Sequence, residues 1–389
     1  MGKKIKVSTI IYSDFPVHGG YENLVYDLVG NLSLNVKVQV ICLNMTNNRP
    51  IPKYVEVFPI LTKMNIKYIG FLLSMIWNMF KFLQYLLKER PDVINAHPSF
   101  PAGFIALIPA KILKIPLICT SHGGDIQINN ATNYGVRLNK IAAFLLRITL
   151  NGTDAHVLVS ETMINAAEES GSDISKIYII HNGIQINSKK INQQFLNKYN
   201  IKNSDITILF LSRLNKLKRP EDLLRAFCIA DNTIQNLKLV IAGKGEDRTI
   251  LEKLVSNLNL RDKVIFTGFL YPDNGKWDLL KRCDIFVLPS LIEGLPISIL
   301  EAMSCGKPII ATNISPFKDI IKNRETGILV DPKSPEKISE AIIMLALNKE
   351  KRFNMGELAK KEFNKKFTIQ KVSEEYLKLY KRIILERSR

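Results

Sequence analysis

At 389 residues, 46% hydrophobic and 23% charged, the chain has the composition of a globular protein and exceeds the usual size of one hydrophobic core, so two domains are expected. Five cysteines, scattered, odd in number and without Cys-x-x-Cys spacing, suit reduced thiols in the cytosol better than a disulfide framework or a zinc site. The formal charge of +18 implies an anionic partner; dispersed lysines without a helix-turn-helix, zinc-finger or RNA-binding aromatic signature favour a membrane surface or a phosphorylated substrate over nucleic acid.

The opening run "KKIKVSTII" is too short, and too interrupted by Lys6 and Ser8, for a secretion signal. It reads as a first β-strand, and the protein is expected in the cytoplasm. "GGYE" follows. Gly19 and Gly20, ahead of a helix beginning near Glu22, either let a backbone approach a phosphate or make a plain tight turn. No G-x-G-x-x-G occurs, so a nicotinamide or flavin site is not supported and no cofactor is expected.

"VKVQVICL" is the next strand. Residues 66–87, "IKYIGFLLSMIWNMFKFLQYLL", form the most apolar stretch, with only Lys67 and Lys81 charged. Part of it must cover the sheet; the surplus, with Phe71, Leu72, Trp77 and Phe80, reads as a face lying on a membrane rather than a span. Residues 60–150 carry ten basic and three acidic residues, which points to an anionic bilayer. "DVINAH", "PLICTSH", "AHVLVS" and "KIYIIHNG" complete the first series of strands.

The polar stretch 182–194 joins this series to a second: "ITILFLSRL", "LKLVIAG", "KVIFTGF", "DIFVLPS", "KPIIAT" and "GILV". Such continuous apolar runs alternating with helices predict buried parallel strands, hence two doubly wound α/β domains. The expected division is 1–183, 184–366 and a C-terminal helix, 367–389, packing back on the first domain. Ligands of such sheets bind beyond the carboxyl ends of the strands, and two facing sheets would share one cleft.

Arg213 and Lys218 follow a strand of the second series and could neutralise a diphosphate, as fork and point charge. No Asp-x-Asp occurs, so protein cations and helix dipoles would carry that charge and no metal is expected. In "LIEGLPISILEAMSCGK", Pro296 suits the first turn of a helix and Gly306 its end. The N–H groups of Gly294, Leu295 and Ile297 would then face an anion. Glu293 and Glu301 flank them, and each carboxylate can accept two neighbouring hydroxyls, as a sugar or ribose offers.

These residues resemble a family. "EGLPISILEA" is similar to the E-x7-E motif of retaining glycosyltransferase family 4, the group-1 family of GT-B fold. "GGYE", "DVINAHPSFPAG", "TSHGGD", "HNGI", "LSRLNKLKRPEDLLRAF", "VIAGKGED" and "FTGF" follow in that family's order along nearly the whole chain.

The resemblance implies that Arg213 and Lys218 contact the donor diphosphate, with Gly19 and Gly20 closing over it. Glu301 would hold the nucleotide ribose, Glu293 the transferred sugar, and His122 a hydroxyl of that sugar. His97 is about as readily an ordinary buried histidine; Gly243, Lys244 and Gly245 are further candidate contacts to nucleotide or acceptor. Three departures stand out: His181–Gln185 where the family often has Pro-Asn-Gly-Ile-Asp, Asp319 for a common Glu, and Pro296 for a frequent glycine. The implied activity is metal-independent, retaining transfer of a hexose from a nucleotide-diphosphate sugar to a lipid-linked or polysaccharide-precursor acceptor, at the inner face of the cell membrane. The alternatives are a GT-B sugar-nucleotide epimerase and a non-catalytic membrane-associated scaffold.

Overall fold

The computed structural model describes residues 4–17, 19–63, 69–271 and 275–387. The chain divides into two α/β units, Met1–Gly183 with Ile369–Arg389, and Ile184–Thr368. The first is built on strands β1 (Lys6–Ile11), β2 (Lys37–Ile41), β3 (Val55–Phe58), β4 (Val93–His97), β5 (Leu117–Ser121), β6 (Ala155–Leu158) and β7 (Ile177–Ile179). Their order is β3-β2-β1-β4-β5-β6-β7, with all pairs parallel.

The second unit contains β8 (Ile206–Leu211), β9 (Leu237–Ala242), β10 (Val264–Gly268), β11 (Ile285–Leu288), β12 (Ile309–Thr312) and β13 (Gly327–Val330). These run β10-β9-β8-β11-β12-β13, again all parallel. β4, β5, β6, β11 and β12 are buried at every position, which is why they read as unbroken apolar runs. In each sheet the strand order reverses once, between β1 and β4 and between β8 and β11. Helices leave on opposite faces there, and a crevice opens at the carboxyl ends.

The C-terminal helix Ile369–Arg387 belongs to the first unit and packs on helix Gly20–Leu32. It buries Val372, Tyr376, Leu379, Tyr380 and Ile383, a single face at helical spacing. Two hydroxyls fix it to the sheet: Asn95 Nδ2 donates to Tyr380 Oη at 2.7 Å, and Thr120 Oγ1 lies 3.3 Å from Tyr376 Oη.

The apolar helix is described over Ile69–Glu89, two residues past the expected end at 87, and residues 64–68, Lys67 among them, lie outside the described residues. Its inner face is partly polar. Asn78 accepts the Thr62 N–H at 2.8 Å and donates to the Thr62 carbonyl at 2.8 Å, while the Tyr85 hydroxyl meets Ser8 and Gln39 at 2.7 and 2.6 Å. The opposite face is apolar and bare: Leu72, Leu73, Ile76, Trp77 and Phe80 are all exposed, Ile76 at 63%. Phe71, expected on that face, is half-buried with its ring 6.2 Å from that of Phe100. No described helix is long and apolar enough to cross a membrane.

Candidate active site

Each unit gathers unusual residues at its own switch point. In the second unit, the loop after β8 turns through Arg213 and the buried Asn215, whose Oδ1 and carbonyl both accept the Lys218 N–H, at 3.2 and 3.0 Å. The loop after β11 lies against it, with the Leu291 N–H donating to the Leu217 carbonyl at 2.8 Å. This backbone contact brings Lys218 and Glu293, 75 positions apart, to 2.6 Å between Nζ and Oε1. Ser290 Oγ donates to the same Glu293 oxygen at 2.8 Å. Lys218 is only 8% exposed, so the pair is shielded from much of the solvent screening that weakens surface ion pairs. Arg213 is exposed and makes no ion pair among the described residues.

The helix after this loop runs Ile297–Ser304 and ends at Gly306 with φ +66°. Pro296, expected inside the first turn, is instead the N-cap, with extended backbone. Gly294 and Leu295 therefore belong to the preceding turn, and of the three expected anion-facing N–H groups only that of Ile297 starts the helix. Glu301, one turn in, is buried, and Lys276 Nζ meets its Oε1 at 2.5 Å. Sequence reasoning missed Lys276. Its lysine sits between a glycine and a tryptophan with no motif around it, and its partner is 25 positions away.

The Gly243–Gly245 segment packs on the Arg213 loop. A Cβ on Gly243 would lie 1.9 Å from the Ser212 carbonyl oxygen, and one on Gly245 would lie 2.0 Å from that of Leu214. Close backbone approach thus requires both glycines. Lys244 is exposed above the Phe269 ring, 5.2 Å from its centroid.

In the first unit, Gly19 caps helix Gly20–Leu32 in extended conformation. A Cβ on Gly20 would meet nothing within 4 Å, so packing within the chain does not demand that glycine. His97 ends β4 and His122 follows β5, and the two rings bond directly, His97 Nδ1 to His122 Nε2 at 2.9 Å. Tyr21 stacks on His122 with ring centroids 5.4 Å apart.

Asp125 builds the loop that carries His122. One carboxylate oxygen accepts the N–H groups of His122 and Gly123, both at 3.2 Å; the other accepts that of Ser99 at 3.1 Å. Burial raises its pKa, and hydrogen bonds from the Ser121 side chain and the Ser99 and Gly123 backbone offset this only in part. Burial also depresses His122 to about 4 and holds His97 well below its ordinary value, with His122 adding to the effect on His97. Both rings are neutral at physiological pH. Among the described residues no group of three or more His, Cys, Asp or Glu is placed to hold a metal ion.

Residues 192–362 match the family model for glycosyl transferases group 1, and residues 18–208 match that for glycosyltransferase family 4. The chain belongs to the group 1 glycosyltransferases. One relative of the transferase is the N-acetyl-alpha-D-glucosaminyl L-malate synthase of Bacillus anthracis, 26% identical over 304 residues and 77% of each chain. Another, 26% identical over 280 residues and 68% of each chain, is the Escherichia coli UDP-Gal:alpha-D-GlcNAc-diphosphoundecaprenol alpha-1,3-galactosyltransferase. Among solved structures, Anabaena HepE in complex with UDP and glucose superposes with a TM-score of 0.78 over 96% of this chain and 99% of its own, at 19% identity. That likeness establishes the GT-B fold.

Proposed function

We propose that the transferase moves a hexosyl group, with retention and without a metal, from a nucleotide-diphosphate sugar to a lipid-linked or polysaccharide-precursor acceptor. The observation that carries the donor assignment is the pair of shielded ion pairs, Lys218–Glu293 and Lys276–Glu301, flanking a helix start beyond β11. An incoming diphosphate competes with Glu293 for Lys218. The exchange frees the Glu293 carboxylate for sugar hydroxyls as it places an ammonium on the phosphate. Arg213 and the helix N-terminus add positive potential where charge grows on the leaving diphosphate. Glu301 keeps one oxygen on Lys276 and offers the other to a ribose hydroxyl. From the first unit, His122 is the candidate for a hydroxyl of the sugar.

The acceptor class draws support from a relative named for a diphosphoundecaprenol acceptor and from the first unit's surface. Besides the exposed apolar face of helix Ile69–Glu89, the helix packed on it, Phe104–Ile112, exposes Ile108 and Ile112, and the next, Lys140–Gly152, exposes Ile141 and Phe144. Lys111, Lys114, Lys140 and Arg147 on or next to the last two helices are exposed as well. Exposed Trp, Phe and Ile together with cations suit the headgroup boundary of an anionic bilayer at the cytoplasmic face.

Thermal shift against UDP, GDP and ADP tests the donor reading, since bound ligand raises apparent stability. Incubation with the matching sugar nucleotide then separates the activities. Transfer only when an acceptor lipid is present supports the proposal, epimerised donor without acceptor indicates an epimerase, and no binding at all indicates a scaffold. The rate should be nearly unchanged by EDTA.

A further inference from the structure

The histidine pair has a property that neither ring has alone. A neutral imidazole carries one N–H and one bare nitrogen. The 2.9 Å contact joins Nδ1 of His97 to Nε2 of His122, so one proton lies between them. If His97 donates it, His122 must carry its own proton on Nδ1, and both rings are Nδ1–H tautomers. If His122 donates it, both rings are Nε2–H tautomers. Mixed combinations place two protons or two lone pairs in the contact.

The remaining nitrogens, His97 Nε2 and His122 Nδ1, are buried without a hydrogen-bond partner among the described residues. In either state one of them is a donor and the other an acceptor. Beside the rings lies a cavity of about 20 Å³ lined by His97, His122, His181, Asn182 and Tyr376. That volume is enough for one water.

We propose that His97 is a positioning residue that sets the tautomer, and hence the hydrogen-bonding polarity, of His122. The assignment rests on the reading of His122 as the group at the transferred sugar. It acts through Nδ1 of His122, the nitrogen the pair leaves over, whose donor or acceptor character follows the state the two rings share, so that a hydroxyl meets a ring whose polarity is tied to that of His97. Asp125 fixes the loop, and His97 fixes the ring.

Side-chain 15N spectra of the full chain, labelled at histidine, read the tautomers directly. The expected result is one shared tautomer for His97 and His122; different tautomers in the two rings would overturn the proposal without any variant. In His97→Ala, His122 should populate both tautomers. Turnover should fall about tenfold with a smaller change in donor KM, as expected for one lost orienting hydrogen bond. His97→Asn, whose amide can replace the Nδ1 contact, should restore a single tautomer and most of the rate. A His122 spectrum unchanged by His97→Ala, or no recovery with Asn in a variant that folds normally, would reduce His97 to packing. Full transfer by His122→Ala would instead remove His122 from the reaction, whatever the spectra show.

Discussion

The two units share a topology and differ in the chemistry placed at the switch point. The second unit sets fixed charges there: Lys218 against Glu293, and Lys276 against Glu301. The first sets neutral groups there, two histidines kept uncharged by burial, His97 at the end of β4 and His122 on a loop held by Asp125. Paired charges can be exchanged for those of a phosphate, whereas neutral imidazoles can order hydroxyls with no counter-ion to displace. All five histidines precede residue 182, so the division runs through the whole chain. Under the proposed transfer, exchangeable charge suits the donor diphosphate and a neutral imidazole suits a hydroxyl of the transferred sugar.

The comparison breaks most readily at Lys218. Lys218→Ala removes the cation and leaves Glu293 nearly buried and unpaired, a loss of about 3–5 kcal/mol for a pair of this kind. Both stability and kcat/KM should drop, the latter by about a hundredfold or more from the lost charge-assisted contact and the disordered carboxylate. Lys218→Met with Glu293→Gln should recover stability without recovering turnover. If the double variant regained activity, the pair would be structural only. Lys276→Met should act in the same direction but more weakly, seen mainly as a raised donor KM.

Acid should separate the two units. His122 and His156 are depressed by burial to about 4 and about 3, and His97 falls well below 6.5. In the unfolded chain these rings take up protons near 6.5, so the folded state binds fewer protons below that pH. Their stabilisation is complete above pH 6.5 and is lost as pH falls, at about 1.4 kcal/mol per pH unit for each histidine until its folded pKa is reached. Hydrogen exchange from pH 7 to 5 should show the first unit losing protection before the second. Equal loss in both would remove the histidines as the cause.

The sheets were legible because a parallel strand buried on both faces must be apolar at every position, as in "VINAH" and "IFVL". β3 was not: Val55–Phe58 is a short edge strand whose Glu56 is exposed. At the site, the sequence shows residue types at strand ends but not their partners. Lys218 and Glu293 could be proposed separately; their ion pair depends on two loops touching through Leu217 and Leu291. Lys276 and Asp125 were silent for the same reason, since each acts on groups brought to it by the fold. His97 could be read from sequence either as a ligand contact or as an ordinary buried histidine, because its bond to His122, 25 positions on, exists only in the fold.

The mildest test concerns the exposed apolar helix face of the first unit. An exposed stripe of Leu73, Ile76, Trp77 and Phe80 forms an open apolar surface, and under the proposed docking the first unit's exposed cations should set the preference for lipid charge. Each Lys or Arg near an anionic surface contributes about 1 kcal/mol, roughly fivefold in partitioning. Lys111→Gln or Lys140→Gln should thus lower flotation with acidic vesicles about fivefold each and leave the weak binding to zwitterionic vesicles unchanged. Trp77→Ser should lower both, because apolar insertion does not depend on lipid charge. Raising salt should erase the difference between the lysine variants and the parent, as exposed charges become screened beyond about 10 Å at 0.1 M and closer still above it. If flotation were the same for acidic and neutral vesicles, or absent with both, the stripe would not be a bilayer contact and the acceptor would have to be met in solution.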